Sequence, residues 1–586
     1  MIRDYFADLP DLDFPNFKAL LNHVTEAYAE LPAMRMRSTG GDGYDTYDFR
    51  RLGEEVRLTA AWLYNRGLRK GDPVAICAEN RLEWCVVYLA LVTSGLVAVP
   101  IDSQLRNEEV VNICRGSGAR TAFVSATQRD KIASLLDTEE LEFIVNFDAG
   151  PGEAAPRSAA WAAVLAAREE ADLPGAEDIL PEDTASIIYT SGTTGLAKGV
   201  MLSHHGIIAN INAAMQSLAI DEHDVFITVL PLYHTYTTTC SFLSPLAAGA
   251  SLTIAERLAG KSIVANIKET GATIIIGVPI LYDKMRAAVE GRLAVLTGVK
   301  KAVVRLFIGL SRFCLKACGL QAGKLLFRSL RRQAGLGSLR LWVSGGGPLS
   351  PGTAEFYELL GFTLVQGYGM SENGPLISTN TIRHHDNRSV GLPVKYTEVK
   401  IAEPDEQGVG EILVRSPSLM KGYFGNPAAT REIMTAGGYL RTGDLGRFDR
   451  RGFLFITGRS KNLIVTAGGK NVFPEEIELR FSEARAIAEI LVLGRRLDGG
   501  KAEDVVAVCV ADEEALAAEY AEYAEYGDGQ PPAAWIEQRV RAEVEAVNRT
   551  LPGYKKIVDF KIRLTPFEKT ASAKIKRYLY SSFEAL

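Results

Sequence analysis

The residue types best suited to chemistry gather first in IIYTSGTTGLAKGVMLSH, residues 187 to 204. A β-type apolar run leads there into Thr190, Ser191, Gly192, Thr193, Thr194 and Gly195, followed by Lys198 and Gly199. Glycines let a backbone approach an anion closely, consecutive N–H groups and hydroxyls donate to its oxygens, and a nearby lysine supplies a compact charge. The segment reads as a phosphate loop, against the blander alternative of a flexible Gly/Thr hairpin. No GxxxxGK[ST] string occurs, which disfavours a P-loop NTPase. His204 and His205 look metal-like, but neighbours on a helix face different ways, so capping or surface roles are expected. Taken alone, His234 in PLYHTY reads as a core histidine.

Further strings follow in order: PLYHTY (231–236), SGGGPLS (344–350), QGYGMSENGP (366–375), YLRTGDLG (439–446), GRSKNLIVTAGGKNVFPEEIE (458–478) and KTASAKIKR (569–577). With the phosphate loop, this series resembles the adenylate-forming superfamily of acyl-CoA synthetases, luciferases and nonribosomal adenylation domains, and spans almost the whole chain. The resemblance implies two half-reactions. A carboxylate and Mg-ATP give an acyl-adenylate and pyrophosphate, then a thiol attacks the mixed anhydride and AMP leaves.

It also implies residue roles. ATP would be held by Thr190 to Gly195, by Gly345, Gly346 and Gly347, by Gln366, Gly367, Tyr368, Gly369 and Ser371, and by Asp444 and Arg459. Physically, Tyr368 offers a flat face to adenine, Ser371 a hydroxyl to the α-phosphate, and Glu372 a hard carboxylate of the kind Mg²⁺ accepts, with Thr190 beside it as the second metal candidate. Asp444 can accept both ribose hydroxyls and Arg459 can donate to sugar or phosphate. Lys198 and His234 join Glu372 as catalytic candidates, His234 shaping the acyl pocket and gating between half-reactions. Lys574 matches the family's C-terminal catalytic lysine and would neutralise charge developing between carboxylate and α-phosphate. Lys461 takes the hinge position, and Gly468 with Gly469 would let pantetheine pass close to the backbone. Ser371 stands where Thr is more frequent, Ala573 where Gly often precedes the lysine, and His205 where Arg is frequent.

These residues need elements to position them. Apolar residues recur at helical spacing from Phe49 to Arg66. A buried strand follows from Pro73 to Ala78, a helix over about 81–95, and another strand from Leu96 to Ile101. Further strand-like runs at 122–124, 143–145, 186–189, 251–254, 273–276 and 340–343 alternate with helix-length segments, as in parallel α/β layers. Near residue 400 the alternation around acidic and Gly turns predicts a small antiparallel, barrel-like sheet. A compact α+β tail begins near 460. The fold class expected is therefore α/β: residues 1–460 as a large nucleotide- and acyl-binding body, and 461–586 as a small mobile lid carrying Lys574. EEALAAEYAEYAEYGDGQPP predicts a surface helix and loop.

The 586 residues are 47% hydrophobic and 23% charged, which excludes disordered, collagen-like and coiled-coil classes. A net charge of −6 gives no whole-molecule field for nucleic acid. Seven dispersed cysteines argue against a disulfide framework, and Cys314 with Cys318 are expected to be small buried residues rather than a zinc site. Acids in MIRDYFADLPDLDFPNF do not suit a secretory leader, so a cytoplasmic place is expected.

The charge is unevenly spread. Residues 291 to 354 hold eleven Lys or Arg and no acid, leaving −17 for the rest. Within an insertion at about 291–340, Lys301, Arg305, Arg312 and Lys316 fall in an arc of about 60° on a helix, with Val303, Leu306, Phe307, Leu310 and Phe313 around the remainder. Such a basic amphipathic helix can lie on an anionic membrane through 299–332, or simply solvate its cations. The insertion and IVTAGGKNVFP resemble the long-chain acyl-CoA synthetase branch. That implies fatty acid, ATP, CoA and Mg²⁺ as the molecules bound. The alternatives are an acyl-adenylate passed to a carrier protein, a CoA ligase for a short-chain or aryl acid, and a non-catalytic acyl or nucleotide sensor.

Overall fold

The computed structural model describes residues 5–6, 9–41, 43–150, 157–190, 197–256, 260–496, 503–523, 531–569, 574–580 and 582–583. Contacts within the chain group Met1–Val399 with Val414–Leu440 as one compact unit, and Lys400–Leu413 with Arg441–Leu586 as a second.

Two large sheets organise the first unit. Among the described residues, one has nine strands, in which Leu364–Gly369, Leu341–Ser344, Ile274–Gly277, Val225–Thr228 and Ser251–Ile254 run parallel and side by side, followed by Pro32–Arg37. The other has eight, centred on Thr184–Thr190, Val97–Pro100, Pro73–Cys77 and Thr121–Val124. The apolar runs expected as strands are strands, ending within two residues of their expected limits, because each is bounded by polar or Gly turns and buried on both faces.

Helix Leu82–Thr93 shows why the layers hold. It is apolar nearly all round, and every residue except Glu83 is buried, since it touches strands of both sheets. Trp84 stacks on Tyr88 at 5.3 Å within that layer. A second core on the outer face of the nine-stranded sheet gathers Tyr282, Trp342, Tyr357 and Phe362.

Three expectations need correction. His204 is fully buried rather than a cap or surface residue: Ser203 caps the His204–Leu218 helix by accepting from Gly206 N, while His204 Nδ1 accepts from Phe17 N at 3.4 Å. Cys318 is exposed and Cys314 half-buried, because the Gly298–Cys318 helix turns Val304, Phe307, Ile308 and Ser311 to the body instead. The sheet near residue 400 has four strands in the open order Glu398–Ala402, Gly410–Arg415, Leu440–Phe448, Leu454–Arg459, without barrel closure.

In the second unit, strands Ile487–Arg496, Glu503–Ala511 and Asp559–Arg563 form a sheet against helix Ala533–Thr550. Helix Glu513–Tyr523 occupies the predicted tyrosine-rich segment. Among the described residues, no helix is long and apolar enough to cross a membrane.

Candidate active site

In open parallel sheets, chemistry collects beyond the carboxyl ends of the strands, where loops leave a rigid frame. Three parallel strands of the nine-stranded sheet deliver motifs at that end, with Ile274–Gly277 lying between two of them. Val225–Thr228 leads to PLYHTY, Leu341–Ser344 to Gly345, Gly346 and Gly347, and Leu364–Gly369, carrying Gln366, Gly367 and Tyr368, to the short turn Ser371–Asn373.

Direct contacts tie these segments together. Thr235 Oγ1 donates to Ser371 Oγ at 3.1 Å, and Thr239 Oγ1 donates to Gly374 O at 3.1 Å. The Tyr236 ring lies so close to Gly345 that a Cβ there would sit 2.6 Å from it, so glycine is required for the phenol to fit. Desolvation drives the Tyr236 hydroxyl far above its usual pKa, keeping it neutral. Gly369 makes a similar close approach, its absent Cβ falling 2.1 Å from Pro375 O. His234 opens the turn into a π-helical segment, Thr237–Leu243, accepting from the N–H groups of Thr237 and Thr238 through its carbonyl, both at 2.9 Å. Such π-helical segments are frequent at functional sites.

The stem of the phosphate loop joins through a residue that the motif strings do not single out. Tyr423, on strand Gly422–Tyr423, pairs with Val200 on the loop's outgoing strand, Lys198–Ser203. Its hydroxyl donates to Glu372 Oε1 at 2.8 Å, and Lys198 Nζ stands 5.0 Å from its ring centroid. Burial, then the Glu372 charge, push the phenol's pKa up, so it stays a donor. Tyr423 thus holds the half-buried Glu372 carboxylate through its hydroxyl and meets Lys198 with its ring. Glu372 is an oxygen donor suited to a hard cation, and Thr190 ends the incoming strand with its hydroxyl half-buried. Ser191 to Gly195 lie outside the described residues.

The second unit holds its own cluster. Asp444 and Arg459 face each other across paired strands, with Arg459 Nε 2.8 Å from Asp444 Oδ1 and Asp444 buried. Lys574 is exposed as a residue, yet protein atoms crowd its ammonium. That desolvation, with repulsion from Arg459, draws its pKa below the ordinary lysine value, while Asp444 pulls the other way. Lys461 is shifted down for the same first two reasons. Gly468 and Gly469 are exposed on the turn joining the Ile464–Val465 and Asn471–Val472 strands, Gly469 with φ +68°.

The segment bearing Lys574 is braced on both sides. Before it, Glu489 accepts from Lys569 Nζ at 2.7 Å and from Phe567 N at 3.0 Å, and Lys569 bridges to Ile575. After it, Arg577 pairs with Glu478 and donates to Val492 O at 3.0 Å. Thr570 to Ala573 lie outside the described residues. Glu478 closes the GRSKNLIVTAGGKNVFPEEIE string without a role assigned to it there, and Glu489 lies in no motif, its only sequence signal being its place on a strand flanking that segment.

Comparison with known proteins gives the family and the fold. A model of the AMP-binding enzyme family matches residues 21–424. The chain is 30% identical over 455 residues to Long-chain-fatty-acid–CoA ligase FadD15 of Mycobacterium bovis, covering 75% of this chain and 74% of that protein. It is 28% identical over 531 residues to the Long-chain-fatty-acid–CoA ligase of Escherichia coli O157:H7, covering 84% and 86%. Among solved structures, the anthranilate CoA ligase AuaEII with anthranoyl-AMP superposes with a TM-score of 0.76 at 22% identity, covering 98% of this chain and 97% of that one. ATP-bound MatB from Rhodopseudomonas palustris gives 0.73 at 24%, covering 96% and 98%, and the two show a shared fold.

Proposed function

The chain belongs to the AMP-binding enzyme family, and from that membership we propose that it activates a medium- to long-chain fatty acid with ATP and joins it to CoA. The carboxylate attacks the α-phosphorus, forming an acyl–phosphate bond and releasing pyrophosphate. The CoA thiol then attacks the acyl carbon, a thioester forms, and AMP leaves. Relatives bearing the long-chain-fatty-acid–CoA ligase name across three quarters or more of the chain support the substrate class.

The observation that carries the reaction is the convergence of Ser371, Glu372, Tyr423 and Lys198 through contacts at the carboxyl ends of the strands. Glu372, oriented by Tyr423, and Thr190 would hold Mg²⁺, which when bound offsets phosphate charge. Tyr368 stacks the base, and Gln366, the glycines at 345–347, 367 and 369, and Ser191 to Gly195 complete the nucleotide site, with Asp444 and Arg459 taking the ribose. Lys574 stabilises the first transition state. Residues 461–586 act as the lid, turning about Lys461 and bringing Gly468 and Gly469 to the thiol. The protein works in the cytoplasm, with peripheral contact to the membrane.

The test measures AMP release on a panel of acids from acetate to stearate plus benzoate, with and without CoA. CoA-dependent release greatest for the longer alkyl acids is expected. Activity confined to acetate or benzoate, adenylate formation that CoA never discharges, or no fatty-acid-dependent ATP–pyrophosphate exchange at all would each overturn the reading.

A further inference from the structure

The Gly298–Cys318 helix has three sectors, and only one is covered. Val304, Phe307, Ile308 and Ser311 face the body: Phe307 meets Phe327 edge-on at 5.9 Å, and Ser311 Oγ donates to Leu359 O at 2.8 Å. A second sector carries Lys301, Arg305, Arg312 and Lys316. Arg312 pairs with Glu355 at 3.1 Å, whereas the others form no ion pair among the described residues. The third sector is apolar and open to solvent. Val299 is 80% exposed, Val303 40%, Leu306 66%, Leu310 45% and Phe313 67%, all within an arc of about 80° at 100° per residue. Beyond the left-handed cap at Gly319, Leu320 and Leu325 are 63% and 77% exposed.

Exposed leucines scattered singly need no explanation, but a continuous stripe along a 21-residue helix does. A helix built only for solubility would place its polar residues there. Here the open surface is instead half apolar and half cationic, within a stretch that contains no acid from 291 to 354. That pairing matches a bilayer surface, where apolar side chains enter the acyl boundary and cations meet anionic headgroups. At about 32 Å the helix is long enough to cross a bilayer core, but with its cations it is not apolar enough to do so, and it fits the plane of the surface instead.

We propose that this helix docks the enzyme on anionic phospholipid bilayers, with Val299, Leu306, Leu310 and Phe313 inserted and Lys301, Arg305 and Lys316 against the headgroups. A membrane-dissolved fatty acid would then be met where it resides. That benefit rests on the proposed substrate, but docking itself is read without turnover, so the two fail separately.

The full chain is sedimented with phosphatidylcholine vesicles, with and without roughly one third phosphatidylglycerol. Binding to the anionic vesicles, weakened by salt, is expected. The double variant Leu306→Gln/Phe313→Gln should weaken it at least about tenfold, and Lys301→Glu/Arg305→Glu/Lys316→Glu further still, at roughly fivefold per cation removed. Both variants should keep the wild-type Tm and wild-type turnover of a short, water-soluble acid, because the residues changed are mostly exposed and lie outside the reaction site. Equal binding to neutral vesicles, or variants that bind like wild type, overturns the proposal. So does a wild-type dimer in solution that the Leu306/Phe313 variant dissolves while lipid binding is absent, because the stripe then covers a second copy of the chain.

Discussion

Glu489→Ala should slow the first half-reaction selectively. The carboxylate receives Lys569 Nζ and Phe567 N, and Lys569 bridges to Ile575, the residue after Lys574. The substitution therefore releases the side of the Lys574 segment that Arg577 does not hold. Charge-assisted hydrogen bonds contribute about 1.5–3 kcal/mol each when protected from water. Lys569 and Glu489 retain 28% and 13% side-chain exposure, so the pair is partly screened and about 2 kcal/mol of local restraint is the fitting figure. If that restraint holds Lys574 in its productive position, its loss lowers the productive population up to roughly thirtyfold. Fatty-acid-dependent ATP–pyrophosphate exchange should fall by that order. Thioester formation from supplied acyl-adenylate, which does not need the lysine, should change less than about threefold. Glu489→Gln, which can still accept from Phe567 N, should lie between. Equal loss in both half-reactions, or exchange at the wild-type rate with an unchanged Tm, refutes the reasoning.

Three further outcomes are expected. Lys574→Ala should abolish exchange yet still use supplied acyl-adenylate, whereas Lys461→Pro should impair thioester formation more; parallel losses in both variants count against this division. Tyr423→Phe removes the donor to Glu372 while leaving the ring under Lys198, and should raise the KM for Mg-ATP several-fold with the fold intact; an unchanged KM across a magnesium titration would show that Glu372 needs no such support. His204 is buried, with its pKa lowered from 6.5 to about 4 by desolvation. The native state thus binds fewer protons than the unfolded chain between those values, so stability present above pH 6.5 is lost as pH falls towards 4, by about 3 kcal/mol at most. His204→Asn should flatten that slope in urea unfolding from pH 7 to 4, and an identical slope in the variant counts against the assignment.

What could be read in the sequence, and what could not, divides along one physical line. Elements that depend on local pattern were legible: the apolar runs at 251–254, 273–276 and 340–343 are strands, the last ending in SGGGPLS, whereas the close approach of Tyr236 to Gly345 and of Pro375 to Gly369 appears only in the packing. Residues whose role comes from register were not. Tyr423 reaches Glu372 only because its short strand pairs with Val200 and Met201, a match between segments more than two hundred residues apart. His204 is buried because Phe17 N comes to meet it, and no periodicity around residue 204 encodes that. Glu489 braces Lys569 from a strand eighty residues earlier.

The Gly298–Cys318 helix tests the same distinction most sharply. Its amphipathic pattern was plain, but a pattern contains two apolar arcs as readily as one, and only packing decides which arc the body takes. The body takes Val304, Phe307 and Ile308, and the arc through Val299, Leu306 and Phe313 remains open. Full burial of each such side chain is worth about 1.5–3 kcal/mol. An arc left exposed makes no such gain on folding, so the fold by itself gives no reason for several apolar side chains to stand together beside cations that form no ion pair among the described residues. Burial of the same surface in a second state, against a bilayer, would supply that reason, which is why the vesicle experiment bears on the fold as well as on the function.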